Sequence, residues 1–472
     1  MPSFNFIGGS YAGRSSDVNA QRTINLYPVI DQEGGKVPLA LYGTPGFTTF
    51  CNIGGGAEVR GMIVVGSYLY AVVGSNFYQI DSSGVATDKG DLNSSTGHCW
   101  LEYNSSTGGQ ICVVDGTTGY IYTVATGAFA EISDADFPGA SSLTYMDGYF
   151  IVSEPNSETF WVSDSYDGTA WDGTYYATPG GNSDELISVY ADHRELWLFG
   201  EKSTEIWYNS GSGAPPFDRK IDEILESGIS AAASPAAADN TIFWLDDNRR
   251  FVRAEGYRPT IISTRQIEYQ ISRYSTVSDA IGWAMTMEGH QFYVLTFPTA
   301  GYTWVYDAAT KMFHERESWF DNSRSRWRAN CYAKFNGKHL VGDFSNGKIY
   351  ELSYDVYDED GEYLKSTRTS SPVHKDRKWI FHHELEIEHE SGVGLATGQG
   401  SDPQAMIDWS DDGGHTWSNE HWVSLGKIGE YEARQRLTRL GRSRNRIYRE
   451  RITDPVKRVI LGGHLRYEVG KS

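Results

Sequence analysis

The chain has 472 residues and a formal net charge of −20, and aromatic residues make up 14% of it. This acidity disfavours nonspecific adhesion to nucleic acid or membranes by the chain as a whole. The many aromatics and the 51 glycines suit short strands joined by tight turns, which argues against a disordered chain or a helical bundle. No apolar run approaches the roughly 18 residues of a membrane helix, and the N-terminus lacks the pattern of a signal peptide.

Residues 1–51 are predicted to form an extended arm. The stretch from Asn19 to Phe47 has turn residues and a few hydrophobes but no repeating period. It could be a loose tail or an arm laid across a neighbouring surface. Pro28, Pro38 and Pro45 reduce the conformational entropy of the unfolded segment, so ordering it costs less than ordering a glycine-rich tail. We therefore expect an ordered arm.

Strand–turn–strand units recur from residue 52 to 365. They begin at Tyr68, Gln110, Tyr149, Leu196, Ile242, Phe292 and His339. Each unit joins two alternating apolar runs through a turn that contains Gly, Asn, Asp or Ser, as antiparallel hairpins require. A period near 45 residues with three or four strands per unit is typical of a β-propeller. We predict about seven blades, within a range of six to eight, with one blade completed by a strand from elsewhere in the chain.

The repeat stops after Tyr363, and residues 366–472 are predicted to form a separate all-β domain. Residues 427–472 hold 13 Lys and Arg against 5 Asp and Glu, a local net charge of +8, which leaves −28 for the remainder. The fold class is therefore all-β, with an acidic propeller and a C-terminal domain that carries a basic segment.

The clearest local motif is an Asp box, S-x-D-x-G-x-T-W. Its defined positions are Ser410, Asp412, Gly414, Thr416 and Trp417. Side-chain oxygens of such a motif bond the turn backbone, and glycine supplies the unusual dihedral angles. Asp boxes also occur in sialidases and other sugar-active propellers, so a carbohydrate-binding or sialidase-like propeller is the alternative function. No local motif signals the catalytic groups that a sialidase needs, and we predict a structural turn and no enzyme activity.

Two groups of residues could suggest a metal. Asp358, Asp360 and Gly361 fit the start of an EF-hand loop, but Val356 and Thr367 occupy positions where that motif needs acidic ligands. The other group is the histidines at 382, 383 and 389, which a strand with a period of two would separate. We predict no metal and no cofactor.

The strand pattern around these histidines defines two faces. One face holds Trp379, Phe381, His383, Leu385, Ile387 and His389, and the other holds Glu384, Glu386, Glu388 and Glu390. Four like charges along one strand cost stability unless they are well solvated. The cysteines at 51, 99, 112 and 331 have no metal or redox spacing and are expected to be buried free thiols.

Several stretches resemble the tail proteins of short-tailed double-stranded DNA phages. They are NAQRTINLYPV with ALYGTPG near the N-terminus, DNTIFWLDDNRRFVRAEGYRPTIIST, GHQFYVLTFPTAGYTWVYDAATKMFHE with ESW beyond it, and RLGRSRNRIYRERITDPV near the C-terminus. These stretches are similar to packaged-DNA stabilisation or tail accessory proteins, the tail hub or nozzle proteins of podoviruses. The similarity is spread over nearly the whole chain in matching order.

The resemblance implies a virion protein that is assembled in the host cytoplasm. A homo-oligomeric ring, typically a hexamer, would dock below the portal and its adaptor, extend the DNA channel and help retain the packaged genome. It would also carry a needle or plug and tailspikes or fibres, and double-stranded DNA would pass it without sequence-specific binding or membrane insertion. In such a ring the N-terminal arm would lie on its own propeller rim or on the next subunit.

We also expect the two charge blocks to have different roles. An acidic channel wall repels DNA, whereas a basic wall would hold it, so the glutamate strand is predicted to lie near the channel. The arginine-rich run is predicted to bind acidic surface on a neighbouring subunit or on the adaptor. Its residues are Arg434, Arg436, Arg439, Arg442, Arg444, Arg446, Arg449 and Arg451.

Overall fold

A computed structural model describes residues 4–105, 108–181, 183–320 and 323–471. The N-terminal region contains four short strands, which pair with distant parts of the chain. They are β1 (Arg22–Ile24), β2 (Leu26–Ile30), β3 (Leu39–Gly43) and β4 (Gly46–Asn52).

The described residues that follow form seven antiparallel four-stranded blades. The first three blades are β5 (Val59–Val65), β6 (Tyr68–Val73), β7 (Asn76–Ile80) and β8 (Ala86–Asp91); β9 (Trp100–Asn104), β10 (Gln110–Val114), β11 (Gly119–Thr123) and β12 (Ala128–Glu131); and β13 (Ser142–Met146), β14 (Tyr149–Ser153), β15 (Phe160–Asp164) and β16 (Asp167–Ala177). Blades 4 and 5 are β17 (Leu186–Asp192), β18 (Glu195–Gly200), β19 (Thr204–Asn209) and β20 (Phe217–Leu225); and β21 (Ala236–Ala238), β22 (Thr241–Leu245), β23 (Phe251–Ala254) and β24 (Pro259–Ile261).

A helix and two further blades complete the ring. They are α1 (Arg265–Ser272); then β25 (Ile281–Met287), β26 (His290–Phe297), β27 (Tyr302–Asp307) and β28 (Met312–Phe320), with β29 (Ser323–Arg326) paired to β28; and finally β30 (Ala329–Phe335), β31 (Lys338–Asp343) and β32 (Lys348–Ser353). The outer strand of blade 7 is β4 from the N-terminal region, which pairs with β32. The predicted seven blades and the strand donated from elsewhere are therefore confirmed.

Two hairpin turns show why the local pattern identified the blades. Asp147 and Gly148 both have positive φ, +50° and +99°, and Asn336 and Gly337 repeat this at +48° and +78°. Positive φ at both central residues gives a two-residue turn whose twist matches the flanking strands. Glycine adopts this conformation without steric cost, and Asn or Asp adopt it at a lower cost than other residues.

Hydrophobic side chains between neighbouring blades form the propeller core. At the closure, Val59 and Leu69 of blade 1 pack with Cys331 and Leu340 of blade 7. The helix α1 is amphipathic, begins at the N-cap residue Thr264 and buries Ile267 and Ile271 against blades 5 and 6. Among the described residues α1 is the one α-helix, and eight residues are too few to span a membrane.

The C-terminal domain is a sandwich of two sheets. Its strands are β33 (Ser366–Thr369), β34 (Val373–His374), β35 (Ile380–His389), β36 (Gln404–Ser410), β37 (His421–Ser424), β38 (Gln435–Thr438), β39 (Arg442–Ser443), β40 (Asn445–Ile452) and β41 (Val459–Val469). One sheet has the order β1-β33-β40-β36-β37, and the other has the order β2-β3-β41-β35-β38. Leu385, Ile407, Tyr448 and Leu465 pack together between the two sheets.

The N-terminal strands join the propeller to this sandwich. Strand β1 pairs in parallel with β28 of blade 6 and antiparallel with β33, so one sheet runs from the blade into the C-terminal domain. Strand β3 pairs with β41 in the second sheet. The predicted arm is thus ordered, but residues 22–43 lie within the sandwich rather than on the propeller rim, and Gly46–Asn52 belongs to blade 7. The boundary predicted at residue 51 cuts this strand, because its partner lies about 300 residues away in sequence.

Candidate functional site

The glutamate strand β35 contains a β-bulge between His382 and Glu384. A bulge adds one residue to one strand and shifts the side-chain alternation. Beyond the bulge, Leu385, Ile387 and His389 are buried as predicted. Before it, His382 is buried and Phe381 is exposed, so the prediction that Phe381 and His383 share the face of Leu385 is wrong.

The other face of β35 carries the four glutamates, and each contacts a basic side chain of the same chain. Glu384 is buried between Arg436 and Arg466, at 3.2 Å from the latter. Glu386 accepts two hydrogen bonds from Arg434. The remaining pairs are Glu388 with Lys36 and His464, and Glu390 with Lys457.

These pairs lower the pKa of two of the glutamates. The hydrogen bond from Arg434 is the main cause for Glu386, and the hydrogen bond from Lys36 is the main cause for Glu388. The face is therefore a lattice of ion pairs with little net charge. Strands β38 and β41 and the β2–β3 loop bring opposite charges to the glutamates, and the expectation of a DNA-repelling strand did not include these pairs. The placement of this face beside a channel stays a prediction.

Part of the arginine-rich run is buried inside the domain. Arg446 is almost fully buried and bonds Asp411 and the carbonyl oxygen of Leu440. Arg449 and Arg451 both donate to the buried carboxylate of Asp408, at 2.6 and 2.7 Å. These three residues and Arg434 and Arg436 all bind carboxylates of their own chain. Arg446 is too buried to bind a neighbouring molecule, so the prediction is wrong there, and for the other four it stays a prediction.

The remaining three arginines stay exposed. The guanidinium groups of Arg442 and Arg444 lie 4.6 and 4.8 Å from the ring centre of Trp379. Arg439 lies in the turn between β38 and β39 with a positive φ of +61°. Within the described part of the chain, none of the three has a carboxylate partner.

The Asp box forms the turn after β36. Asp412 accepts hydrogen bonds from the backbone nitrogen and the hydroxyl of Thr416, at 2.9 and 2.6 Å, and from the hydroxyl of Ser410 at 2.7 Å. Ser410 in turn accepts a bond from the nitrogen of Gly414. These bonds, those from Thr416 first, hold the pKa of Asp412 well below its usual range. The Asp412 carboxylate is therefore used by the turn itself. Trp417 is half-buried, and the guanidinium of Arg449 lies 3.6 Å from the centre of its ring.

The residues that suggested a metal have structural contacts. Asp360 bonds Lys348 and the hydroxyl of Thr49, which fastens its loop to blade 7. His382 bonds Ser443 and Tyr448, and His389 bonds Glu450 at 2.7 Å inside the sandwich. The described residues contain no cluster of three metal-ligating side chains. All four cysteines, which are among the described residues, are buried and form no disulfide.

Sequence reasoning missed the partners of the charged strands. Arg434 and Arg436 alternate with a period of two, as the glutamates of β35 do, and this shared alternation is the signal that could have placed them opposite each other. It also missed Arg368, a buried guanidinium that donates to backbone and side-chain oxygens of residues 6–23. Nothing in the local sequence distinguishes this arginine from an exposed one.

The fold and these contacts define a β-propeller joined to a β-sandwich by a shared sheet. Models of the two domains of bacteriophage P22 Gp10 match the chain, the β-propeller model over residues 3–357 and the β-sandwich model over residues 367–468. The chain therefore belongs to the bacteriophage P22 Gp10 family, a family of podovirus tail and DNA-stabilisation proteins. It is a phage tail protein of the virion, and its family consists of structural proteins of the phage particle.

Several solved structures are similar to this chain at low identity. A streptogramin B lyase is 12% identical, with a TM-score of 0.44 over 66% of this chain and 98% of the lyase chain. Virginiamycin B lyase from Staphylococcus aureus is 11% identical, with a TM-score of 0.44 over 65% and 98%. BamB from Moraxella catarrhalis is 9% identical, with a TM-score of 0.41 over 70% and 97%. The comparison with curated proteins finds no match.

Proposed function

We propose that the protein is the hub or nozzle subunit of a short phage tail. A ring of copies, typically six, docks below the portal and its adaptor after DNA packaging. The ring extends the DNA channel, helps retain the genome during assembly in the host cytoplasm, and supports distal proteins such as a needle, tailspikes or fibres. The observation that carries this proposal is the family match over both domains, in order and along nearly the whole chain.

The geometry of the propeller supports a channel formed between copies. The cavity among its innermost strands, lined by residues such as Trp100, Tyr190 and Trp283, has a volume of about 360 Å³. A DNA duplex does not fit such a space. A protein of this fold that conducts DNA must therefore do so between subunits, and heterologous contacts that close by rotation produce a ring.

The shared sheet between the two domains supports a role in transmitting force along the tail. Strand β1 continues the sheet of blade 6 into the sandwich, and the N-terminal strands occupy both sandwich sheets. Backbone hydrogen bonds across this link resist rotation of one domain against the other. A subunit that transmits force between a capsid vertex and distal fibres needs such stiffness.

The exposed arginines give the proposed ring a contact surface. Arg439, Arg442 and Arg444 remain available after the in-chain pairs are formed, while residues 1–426 carry a large excess of acidic groups. Exposed arginine forks suit carboxylates of a second copy or of the adaptor. The placement of the ion-pair lattice of β35 beside the channel is the second element of this proposal.

A map of the virion tests the proposal directly. We expect six copies around the axis below the portal, with the exposed arginines at a protein contact and the β35 face towards the bore. The proposal would be contradicted by a single copy per virion or by a position at the tip of a fibre. It would also be contradicted if the exposed arginines lined the bore and faced DNA.

A biochemical test uses the triple variant Arg439→Gln, Arg442→Gln and Arg444→Gln. We expect it to fold normally and to lose co-sedimentation with portal–adaptor complexes. The matched control replaces Arg258, Arg265 and Arg273 of the propeller by Gln. Equal loss in both variants would mean that general charge, rather than this surface, controls docking.

The glycan-cleaving alternative lacks a comparable observation. The Asp-box carboxylate is engaged in its own turn, and the box lies in the sandwich rather than in the propeller. Turnover of a sialoside by the purified protein would revive this alternative.

A further inference from the structure

A cavity of about 490 Å³ lies where blade 6, the N-terminal segment and the sandwich meet. Its walls come from strands β1, β28, β29, β33 and β40 and from the Asp-box turn. The side chains that line it include five cations and one carboxylate. The cations are Arg22, Arg324, Lys365, Arg449 and Arg451, and the carboxylate is Glu317.

Four of the five cations have carboxylate partners. One of these carboxylates, Glu317, lines the cavity, and the others lie outside its lining. Arg22 bonds Glu315, and Arg324 bonds Glu317 at 2.9 Å. The other two, Arg449 and Arg451, share Asp408, and Arg451 also contacts Glu420. Even so, the Nε atom of Arg451 is buried without a hydrogen-bond partner in the described residues.

Lys365 is the exception. Its Nζ atom lies 3.9 Å from the centre of the Trp319 ring and has no carboxylate partner among the described residues. Burial lowers the pKa of Lys365; Glu317 opposes that effect, and Arg451 and Arg449 lower the pKa further. His415 is the remaining titratable group on the cavity wall. An unpaired cation among other cations in a confined space is a position that an anion would stabilise.

We propose that this cavity binds a phosphate group, with the ammonium of Lys365 as its main charge partner and with Arg449 and Arg451 at its side. Guanidinium groups match the geometry of phosphate oxygens, and lysine serves as a point charge for the same ligand. The five cations and their carboxylate partners Glu315, Glu317, Asp408 and Glu420 leave about one positive charge, which a bound anion neutralises. The phosphate can come from inorganic phosphate or from a nucleoside monophosphate.

The location of the site gives binding a structural consequence. A bound phosphate touches the propeller, the N-terminal segment and the sandwich at once, so it stabilises their junction. Because the unfolded chain lacks this site, binding raises the unfolding temperature with ligand concentration. The inference does not depend on the proposed function, since it concerns the ligand of a single subunit.

The first test uses the unmodified protein. An amine-reactive acetylating reagent is applied with phosphate, adenosine monophosphate or acetate at equal ionic strength, and modification of each lysine is measured by mass spectrometry. We expect phosphate or the monophosphate to protect Lys365, while exposed Lys375 reacts equally in every arm. Stronger protection by the monophosphate identifies a nucleotide as the ligand, and equal or weaker protection identifies phosphate. Absence of protection in both arms at millimolar concentration overturns the proposal.

The second test replaces the lysine. Lys365→Met keeps an apolar contact with Trp319 and removes the charge, and we expect phosphate affinity by calorimetry to fall about tenfold or more, as for loss of one charge-assisted hydrogen bond. Lys375→Met is the matched control and should bind normally. Unchanged affinity in Lys365→Met would overturn the proposal, and if this variant fails to fold, the protection experiment on the unmodified protein still decides.

Discussion

Arg368 donates a hydrogen bond of 2.5 Å to the side-chain oxygen of Gln21, although the two residues are 347 positions apart in the chain. The same guanidinium donates to the carbonyl oxygens of Phe6 and Gly8 and to the hydroxyl of Thr23. It is fully buried and has no carboxylate partner in the described residues, and burial lowers its pKa to about 9. One arginine of β33 thus holds residues 6–23 together.

We predict that Arg368→Met destabilises the protein by about 3–5 kcal/mol. Removing the buried charge recovers its desolvation cost, but several buried oxygens lose their donor, and each unpaired group costs about 1–3 kcal/mol. Denaturant unfolding measures the change, and proteolysis near residue 20 should become faster. Arg377→Met, at an exposed arginine of the same domain, should leave stability unchanged, and equal effects in both variants would contradict this role.

We predict that Gly46→Ala weakens the closure of the propeller. A Cβ atom at position 46 would lie 2.5 Å from the carbonyl oxygen of Val356 and closer still to that of Asp358. Both contacts are with the backbone of the loop after β32, so the start of strand β4 must shift away from that loop and lose its hydrogen bonds to it, at a cost of about 1–3 kcal/mol. Thermal unfolding measures the change.

Gly180→Ala provides the matched control for this prediction. Gly180 has open space around its Cβ position and lacks a positive φ. The same substitution there should be neutral or stabilising by up to about 1 kcal/mol, because it restricts the unfolded chain. A neutral Gly46→Ala would show that blade 7 tolerates displacement of its outer strand.

The propeller was predictable from sequence because each blade is local. Strands such as β13 and β14 are joined by a two-residue turn, so their alternation and the Asp147–Gly148 signal lie within a dozen residues. The partners of β1 and β3 were not predictable. Ile24 of β1 pairs with Glu315 and Leu41 of β3 with Ile460. Strands of three and five residues carry too little periodicity to indicate such distant partners.

The sequence predicted the candidate site correctly only where the contacts join residues that are close together in the chain. The Asp-box turn is confirmed as a turn because its bonds join residues four positions apart or fewer. The charge blocks were predicted as independent surfaces, yet β35 lies beside β38, and Glu386 faces Arg436 in the register of those strands. A bulge at His382–Glu384 also moved the predicted faces, and a bulge has no reliable signal in one sequence.

We predict that the ion pairs of β35 contribute unequally to stability. Glu384 is buried with two arginine partners, whereas Glu390 is half-exposed with one lysine. Since the arginines themselves are half-exposed, Glu384→Gln should cost about 1–3 kcal/mol. Glu390→Gln should cost no more than about 0.5 kcal/mol. Denaturant unfolding at low and high salt compares the two, and equal costs would mean that burial does not control these pairs.

The last prediction concerns the Asp-box turn. Asp412→Ala removes the acceptor of the Thr416 amide, so exchange of that amide should accelerate while the remaining fold is kept. Hydrogen-exchange mass spectrometry of a peptide covering residues 408–420 measures this effect, and Glu432→Ala, at an exposed carboxylate of the same domain, is the control.

The dependence of this turn's stability on pH has a defined sign. Because the pKa of Asp412 is lowered in the folded protein, its stabilisation is present above the ordinary value of about 4 and is lost as pH falls below it. Exchange of the unmodified peptide, corrected for the intrinsic pH dependence, should therefore approach that of Asp412→Ala only below about pH 4. Protection that is equal in both proteins at neutral pH would mean that the glycines and Ser410 hold the turn without this carboxylate.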